Sequence, residues 1–202
     1  MGASLKITKD KILDSAFDIV RKEGIEVVSN RKIAENLNTS IRPIYYQFKN
    51  SNELNNELYR KMKRYFYRFV LNNINDEMPK YKQVGINYIK FAKEENNIFK
   101  ALFMTDNPVI LEDKSFSITE DYPELKEIES YIKISTKLSD KAVKTFHVKM
   151  WLFTHGIATL LASKTLFLSD EQIKSLLSQE FQALMLLEEN PNNKWILGGK
   201  ND

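Results

Sequence analysis

The chain has 202 residues, of which 43% are hydrophobic and 28% charged, a composition typical of a soluble globular protein and not of a disordered tail. It contains no cysteine, which excludes disulfide scaffolds, zinc fingers, iron–sulfur clusters and thiol catalysis and fits a reducing compartment. The net charge of +3 is unevenly distributed, since residues 1–68 hold 14 basic and 8 acidic residues, which favours an N-terminal segment facing a polyanion over an uneven but merely solvated surface.

The chain begins with a predicted helix that starts at Lys9, with Thr8 as its N-cap and Gly24 as its left-handed stop. Its apolar residues recur at the i, i+3, i+4, i+7 spacing of an amphipathic helix. A second, shorter helix is predicted to begin after Ser29 or Asn30.

A turn and two further helices follow. Asn38 is expected in a left-handed conformation, which asparagine tolerates better than most residues. A third helix is predicted to begin near Thr39 or Ser40. A fourth, signalled by Ser51, continues through residue 70.

The second half of the chain contains longer helical patterns. Helices are predicted over residues 81–95, 98–104, 140–163 and 169–187, and residues 105–123 are expected to be mostly irregular. Ser169 with Gln172 three residues later is a capping-box pattern. No strand pattern competes with the helices, so the sequence predicts an all-α protein.

Apolar runs in the sequence are short, and the longest lies within residues 157–162. A bilayer span needs about 20 such residues, and the first ten residues do not form a targeting segment. We therefore expect a cytoplasmic protein with no membrane partner.

The second and third helices are joined by a tight turn, which is the arrangement of a helix-turn-helix DNA-binding unit. In such a unit one side of the last helix contacts bases and phosphates, and the other side packs on the neighbouring helices. Ile44 and Phe48 are expected to face inward. The residues expected to face outward are Ser40, Ile41, Arg42, Tyr45 and Tyr46.

These helices resemble the signature of the TetR family of transcriptional regulators. The matching residues are the segment 33–37 (IAENL), Ser40, the segment 43–50 (PIYYQFKN) and Glu53-Leu54, with Lys11–Ala16 similar to the family's first helix. The resemblance covers about residues 8–60. It implies a dimeric regulator, most often a repressor, that a small effector releases from DNA.

The resemblance also implies the domain organisation. A helix-turn-helix DNA-binding domain would occupy residues 1–52 and be linked by a helix over 52–75. An effector-binding and dimerisation domain would occupy residues 53–190, with a flexible tail over 191–202.

Three positions depart from the family pattern. Asn38 replaces the usual turn glycine, and Ser51 replaces a frequent lysine, which removes one expected phosphate contact. Pro43 lies in the first turn of the recognition helix, where its missing N–H has no helical partner, and it restricts the conformation of Arg42.

Arg42 is predicted to read a base, because a guanidinium pairs with guanine O6 and N7, and Ile41 and Pro43 are predicted to make apolar contacts in the groove. Alternatives remain open: Tyr45 as a core aromatic, Arg42 as a free surface arginine and Ser29 as a plain helix cap. The full set of predicted DNA-binding residues is Ser29, Asn30, Arg31, Ser40, Ile41, Arg42, Pro43, Tyr45, Tyr46, Gln47 and Lys49.

Residues 151–156 (WLFTHG) resemble the W-x3-H-G motif of one C-terminal subgroup of the family. The last two helices carry more apolar residues than one inward stripe needs, which favours a four-helix dimer interface over burial within one chain. A symmetric dimer predicts a palindromic operator with half-sites about 34–36 Å apart. The predicted interface residues are Met150, Phe153, Ile157, Leu161, Ile173, Leu177, Phe181 and Leu184.

Aromatic residues of the middle helices are the candidates for a small, lipophilic effector site, although an aromatic stripe is also typical of a core. His155 is interpreted either as a ligand-orienting group or as an interior histidine beside Gly156, where helices are expected to approach closely. The predicted effector-binding residues are Phe66, Tyr88, Phe91, Phe99, Phe103, Trp151 and His155.

Two other classes of protein compete with a DNA-binding regulator, namely an enzyme and a helical ligand-binding or interaction protein. No glycine-rich phosphate loop, H-E-x-x-H motif or serine–histidine–aspartate arrangement is present, so no enzymatic activity, cofactor or metal is expected. The chain has only two histidines, and their spacing of eight residues is too wide for joint metal binding. The remaining alternative is a helical ligand-binding or interaction protein without specific DNA binding.

Overall fold

The computed structural model describes residues 7–105 and 123–189, and the regular secondary structure of these residues is entirely helical. The all-α prediction is therefore confirmed. The helices are α1 (Lys9–Glu23), α2 (Asn30–Asn36), α3 (Arg42–Gln47), α4 (Ser51–Val70), α5 (Lys80–Glu94), α6 (Asn96–Phe103), α7 (Pro123–Thr136), α8 (Asp140–Ala162) and α9 (Asp170–Glu189).

The predicted caps are present at several helix ends. Thr8 Oγ1 accepts a hydrogen bond from the Lys11 amide at the start of α1. Gly24 ends that helix with φ +100°, a backbone conformation that residues with a Cβ adopt only with strain. Ahead of α9, Ser169 and Gln172 form a reciprocal capping box.

The turn before α3 is longer than the sequence predicts. Asn38 has the expected positive φ of 50°. The Thr39 amide, however, donates to the Ala34 carbonyl and still closes α2, so α3 begins at Arg42 and not near Thr39 or Ser40. Pro43 lies in the first turn of α3, as predicted.

One hydrophobic core runs through α1–α6 and into α8 and α9. Its fully buried side chains include Ile12, Leu58, Phe91 and Phe99. α4 contributes to it from Leu54 onward and contacts α1, α5 and α6. The small N-terminal helices are thus anchored on the rest of the chain through shared apolar packing.

A second, smaller core lies between α5, α7, α8 and α9. The sequence pattern did not predict α7. Leu125, Ile128 and Ile132 of α7 are buried at helical spacing, and Pro123 opens the helix, where proline is tolerated. Most of the segment predicted to be irregular, and the predicted tail over 191–202, lie outside the described residues.

Helix length and hydropathy also bear on membrane association. Across residues 7–105 and 123–189, no helix reaches the length and hydrophobicity that crossing a bilayer demands.

Candidate nucleic-acid interface and ligand cavity

α3 presents one apolar side to the core and one polar side to solvent. Ile44 and the following Phe48 are buried, whereas Tyr45 and Tyr46 are 61% and 85% exposed. This division matches the predicted inward and outward sides. It also contradicts the alternative in which Tyr45 is a core aromatic, because a core side chain does not leave most of its surface in water.

Arg42 and its neighbours extend this exposed surface. Arg42 is exposed, and its guanidinium has no carboxylate partner among the residues that the structure describes. Ile41 and Lys49 are exposed as well, and Pro43 is half-buried. The arrangement offers a free guanidinium between apolar and aromatic side chains, which is the chemistry that base edges and phosphates require.

Three other predicted contact residues, Gln47, Ser29 and Arg31, have partners within the chain. The Gln47 side-chain amide donates to the Ile7 carbonyl at 3.1 Å, so its nitrogen is engaged. Ser29 caps α2 by accepting from the Lys32 amide. Arg31 bonds Glu35 on the surface, a contact worth little, so its guanidinium stays accessible. Ser40 is exposed, and Asn30 begins α2.

The helices behind α3 are held by polar contacts as well as by the core. The Asn36 side-chain amide of α2 donates to Ser15 of α1 at 2.9 Å. Lys9 of α1 pairs with Glu53 of α4 at 3.1 Å and lies 5.0 Å from the Phe48 ring centroid. α3 is therefore presented on a braced frame.

A buried carboxylate joins α1 to the body of the molecule. Glu95, whose side chain is 5% exposed, accepts from Arg21 Nε at 2.8 Å and Nη2 at 2.5 Å, and from the Tyr65 hydroxyl at 2.8 Å. Glu95 directly follows α5, so this residue connects α5 with α1 and α4. The hydrogen bonds to Glu95 raise the pKa of Arg21, and burial is the main cause that raises the pKa of Tyr65.

A cavity of about 530 Å³ lies between α5, α8 and α9, with one residue from the end of α7. Its volume is in the range of small-molecule sites, about 300–1,000 Å³. The lining residues are Pro79, Tyr81, Lys82, Val84, Gly85, Tyr88, Ser135, His147, Met150, Trp151, Thr154, Leu177, Ser178, Phe181 and Gln182.

At one end of the cavity, the Tyr81 hydroxyl is 3.1 Å from Nδ1 of His147. Both side chains are buried, and burial lowers the pKa of His147 to about 4 and raises that of Tyr81. Both groups are therefore neutral at physiological pH. When the Tyr81 hydroxyl donates to Nδ1, His147 carries its proton on Nε2.

At the other end, the Tyr88 hydroxyl is 2.8 Å from Nδ1 of His155. The Trp151 indole also bonds this hydroxyl and stacks on the His155 ring, with 4.9 Å between the ring centroids. Burial raises the pKa of Tyr88 and lowers that of His155. This end is a closed aromatic network whose polar groups already have partners.

The predicted effector residues cluster in space, but only Tyr88 and Trp151 line the cavity. Phe66, Phe91 and Phe99 are buried in the main core, where Phe66 and Phe91 meet edge-to-face at 5.2 Å. Two further predicted residues, Phe103 and His155, pack against that cluster and do not line the cavity. Five of the seven predicted effector residues therefore lie outside the lining of this cavity.

Sequence reasoning also missed most of the residues that do line the cavity. Tyr81 and His147 are 66 residues apart, and no local pattern joins them. Helical spacing marks an apolar face that includes Met150, Leu177 and Phe181, and this pattern predicts a dimer interface. Spacing alone does not show whether such a face meets a core, a cavity or a partner.

The whole chain was compared with known proteins. No protein-family model matches it, and no curated protein matches it in sequence. Solved structures do match: a TetR-family protein from Vibrio parahaemolyticus has a TM-score of 0.59 at 16% identity, with 87% of this chain and 97% of that chain covered. A TetR-like transcriptional regulator from a Rhodococcus species has a TM-score of 0.59 at 12% identity, with 93% and 98% covered.

A third solved structure, a TetR-family transcriptional regulator from Haemophilus influenzae, has a TM-score of 0.52 at 19% identity and covers 87% of this chain and 94% of its own. This chain has a TetR-like fold. The likeness extends over both halves of the molecule, so it includes the cavity helices as well as the helix-turn-helix unit.

In this TetR-like fold, five of the eight residues predicted for a dimer interface are buried in the chain's own cores. They are Met150, Ile157, Ile173, Leu177 and Leu184. The other three, Phe153, Leu161 and Phe181, are half-buried. The five buried side chains already pack inside one chain, so they offer little surface to a second copy.

The same two helices expose a different set of apolar residues. Leu152 and Leu160 of α8 are 57% and 47% exposed, and Leu186 of α9 is 67% exposed. Gly156 lies between the two leucines on the same side of α8, and a Cβ there would meet nothing within 4 Å. The predicted close approach of helices at Gly156 is thus absent among the residues that the structure describes.

Proposed function

We propose that this protein is a ligand-responsive transcriptional regulator of the TetR family that binds a palindromic operator as a homodimer. The observation that carries the proposal is the exposed side of α3, where Arg42, Tyr45 and Tyr46 stand free of the core. If the side chains of α3 were buried or wholly apolar, the helix would have no groups to hydrogen-bond in a DNA groove. The TetR-like fold supports the same function.

Dimerisation would use the exposed faces of α8 and α9. Leu152, Leu160 and Leu186 leave apolar surface in water on two neighbouring helices, and a second copy of the chain would cover it. Gly156 would let the partner's backbone approach closely. Two-fold symmetry would then place two α3 helices in successive major grooves.

The effector would bind in the cavity between α5, α8 and α9. α5 carries five cavity-lining residues between Tyr81 and Tyr88, and Glu95 directly after it bonds Arg21 of α1. A ligand that favours one placement of α5 would therefore bias the placement of α1 and α3. Its effect on DNA affinity equals its difference in affinity for the two placements, and release of a repressor is the outcome we propose.

DNA binding tests the proposal directly. The purified protein should bind the DNA flanking its own gene in a fluorescence anisotropy assay, with affinity that falls steeply as salt rises. Arg42→Ala should relax specificity at one base position, by about 1–3 kcal/mol of discrimination. Lys49→Ala should weaken binding to all DNA sequences alike and reduce the slope of log affinity against log salt concentration by about one.

Lys90→Ala is the matched control, because Lys90 is an exposed lysine of α5 far along the chain from α3. It should leave DNA affinity unchanged. If the protein binds no DNA, or if Arg42→Ala retains the full sequence preference, the α3 surface is not a base-reading surface. The chain would then be a helical ligand-binding or interaction protein.

A further inference from the structure

We propose that the cavity between α5, α8 and α9 takes a lipophilic anion, such as a medium-chain or aryl-alkyl carboxylic acid, with its charged group at the end formed by Lys82 and His147. The proposal rests on the proposed function only in treating the cavity ligand as the effector. It adds the chemical class of that ligand, which follows from the charge, the free donors and the shape of the lining.

The charged lining residue is a cation. Among the residues that the structure describes, the lining contains Lys82 and no aspartate or glutamate. Lys82 is half-buried, and its ammonium has no carboxylate partner among the described residues, whereas Lys80 and Lys90 of the same helix each pair with one. An unpaired cation beside an apolar cavity attracts an anionic group and disfavours a cationic one.

His147 provides a free donor at the same end. Its Nδ1 is taken by Tyr81, and Nε2 has no partner among the described residues. Among the described residues, every fully buried side-chain nitrogen or oxygen has a hydrogen bond, so the unbonded Nε2 must keep some accessible surface. His147 lines the cavity. The side chain is otherwise nine-tenths buried. An Nε2–H at such a position is fitted to donate to a ligand oxygen.

The start of α5 adds to this polarity. Pro79, Tyr81 and Lys82 belong to its first turn or precede it, and no side chain caps that end or places an acid in it. The backbone N–H groups of a first turn lack helical partners, and the helix dipole is positive there. Lys82 and the His147-bonded Tyr81 thus belong to the same turn of α5, at the positive end of its dipole.

The remaining lining is suited to a hydrocarbon. Val84, Met150, Leu177 and Phe181 line it, and the far end is closed by Tyr88, whose hydroxyl is already bonded to His155. From Tyr81 to Tyr88 the helix rises about 10 Å, at about 1.5 Å per residue. A chain of medium length fits this distance with its head at Lys82.

Paired acids and alcohols test the ligand class. Isothermal titration calorimetry at pH 7.5 would compare decanoic acid with decanol, and phenylbutanoic acid with phenylbutanol, on the full chain without DNA. At least one acid should bind tighter than its alcohol by about tenfold or more, because a charge-assisted hydrogen bond is lost in the alcohol. Equal binding of acid and alcohol in both pairs would overturn the proposal.

Variants locate the head group. Lys82→Gln and His147→Phe should each weaken binding of the acid by about tenfold and leave binding of the alcohol within twofold. Lys90→Gln, the same change as Lys82→Gln on the same helix, should alter neither. The placement of the head group at Lys82 would be overturned if Lys82→Gln and Lys90→Gln weakened acid binding equally. It would also be overturned if Lys82→Gln weakened acid and alcohol binding equally. Circular dichroism melting checks that each variant is folded.

A parallel DNA titration separates this inference from the proposed function. If the protein binds DNA but shows no preference for acids, the ligand class is wrong and the regulator stands. If it prefers acids through Lys82 but binds no DNA, the cavity inference stands and the proposed function is wrong.

Discussion

Two tyrosine–histidine pairs lie in the contact between α5 and α8. The spacing of the tyrosines along α5 matches that of the histidines along α8, so both pairs form along the same contact. Tyr81 and Tyr88 are seven residues apart, and His147 and His155 are eight apart. Seven residues are about two turns of an α-helix, so like residues fall on one side of each helix. The repeat is visible in the sequence, but only the packing of α5 on α8 shows that the two sets meet.

The buried His147 predicts a pH-dependent stability. Its pKa falls from 6.5 to about 4 on folding, so between these values the unfolded chain binds a proton that the folded chain does not. Stability should therefore fall as the pH falls, by about 2 kcal/mol from pH 7 to pH 5 for this group. Urea unfolding at pH 7, 6 and 5 measures it.

The His147→Gln variant should remove that part of the slope, since glutamine does not titrate and keeps a polar side chain near Tyr81. Its stability should be lower than that of the wild type at pH 7 and should change less on acidification. An unchanged slope in the variant would show that His147 does not remain neutral in the folded protein.

At the scale of the elements, local patterns identified some helices well and one not at all. α1 has both caps and a regular apolar stripe, and the sequence predicted its start correctly. α7 has three buried residues at helical spacing, but the sequence offers no clear N-cap pattern from which its start could be predicted. α3 has six residues and no side-chain cap, so its start was set by the hydrogen bond that closes α2.

The junction between α1 and α5 predicts a specific loss of stability. Glu95→Gln would leave Arg21 and Tyr65 facing a neutral amide in place of a buried carboxylate. The expected cost is about 2 kcal/mol, below the cost of breaking a fully buried ion pair, because the Arg21 side chain is 52% exposed. Chemical denaturation gives this value.

The neighbouring Glu94→Gln is the matched control. Glu94 is exposed and pairs with Lys90 at 3.8 Å within one helix, so its loss should cost less than about 0.5 kcal/mol. Hydrogen exchange adds a local measurement, since amides of α1 should lose protection in Glu95→Gln and not in Glu94→Gln. Equal stability of the two variants would contradict the role of Glu95 as the connection between α1 and the body.

At the scale of the whole molecule, the exposed leucines of α8 and α9 predict the assembly. The double variant Leu152→Glu/Leu160→Glu should convert the proposed dimer to a monomer, because four like charges would meet across a symmetric interface. Operator affinity should fall by about a hundredfold or more, since each copy then binds one half-site. Light scattering after size exclusion and anisotropy measure the two effects.

Ile134→Glu is the control for this prediction, because Ile134 is 78% exposed on α7 and lies outside α8 and α9. It should leave the mass and the DNA affinity unchanged. A wild-type chain that is monomeric at micromolar concentration, or a double variant that remains dimeric, would contradict the proposed interface.

The sequence by itself determined the helical class, the caps at Thr8 and Ser169 and the two sides of α3. These features depend on residues within about four positions of one another, so their physical causes are contained in short segments. The positive φ of Asn38 was also predictable, because asparagine adopts this conformation more readily than most residues.

Only the tertiary structure decided which apolar residues form a core, a cavity or an exposed face. α8 is apolar on more than one side, so its periodicity could not separate the buried Met150 from the exposed Leu152. The pairing of Tyr81 with His147 and of Arg21 with Glu95 joins residues far apart in the chain. Such contacts depend on how the helices pack, and packing is a property of the whole fold.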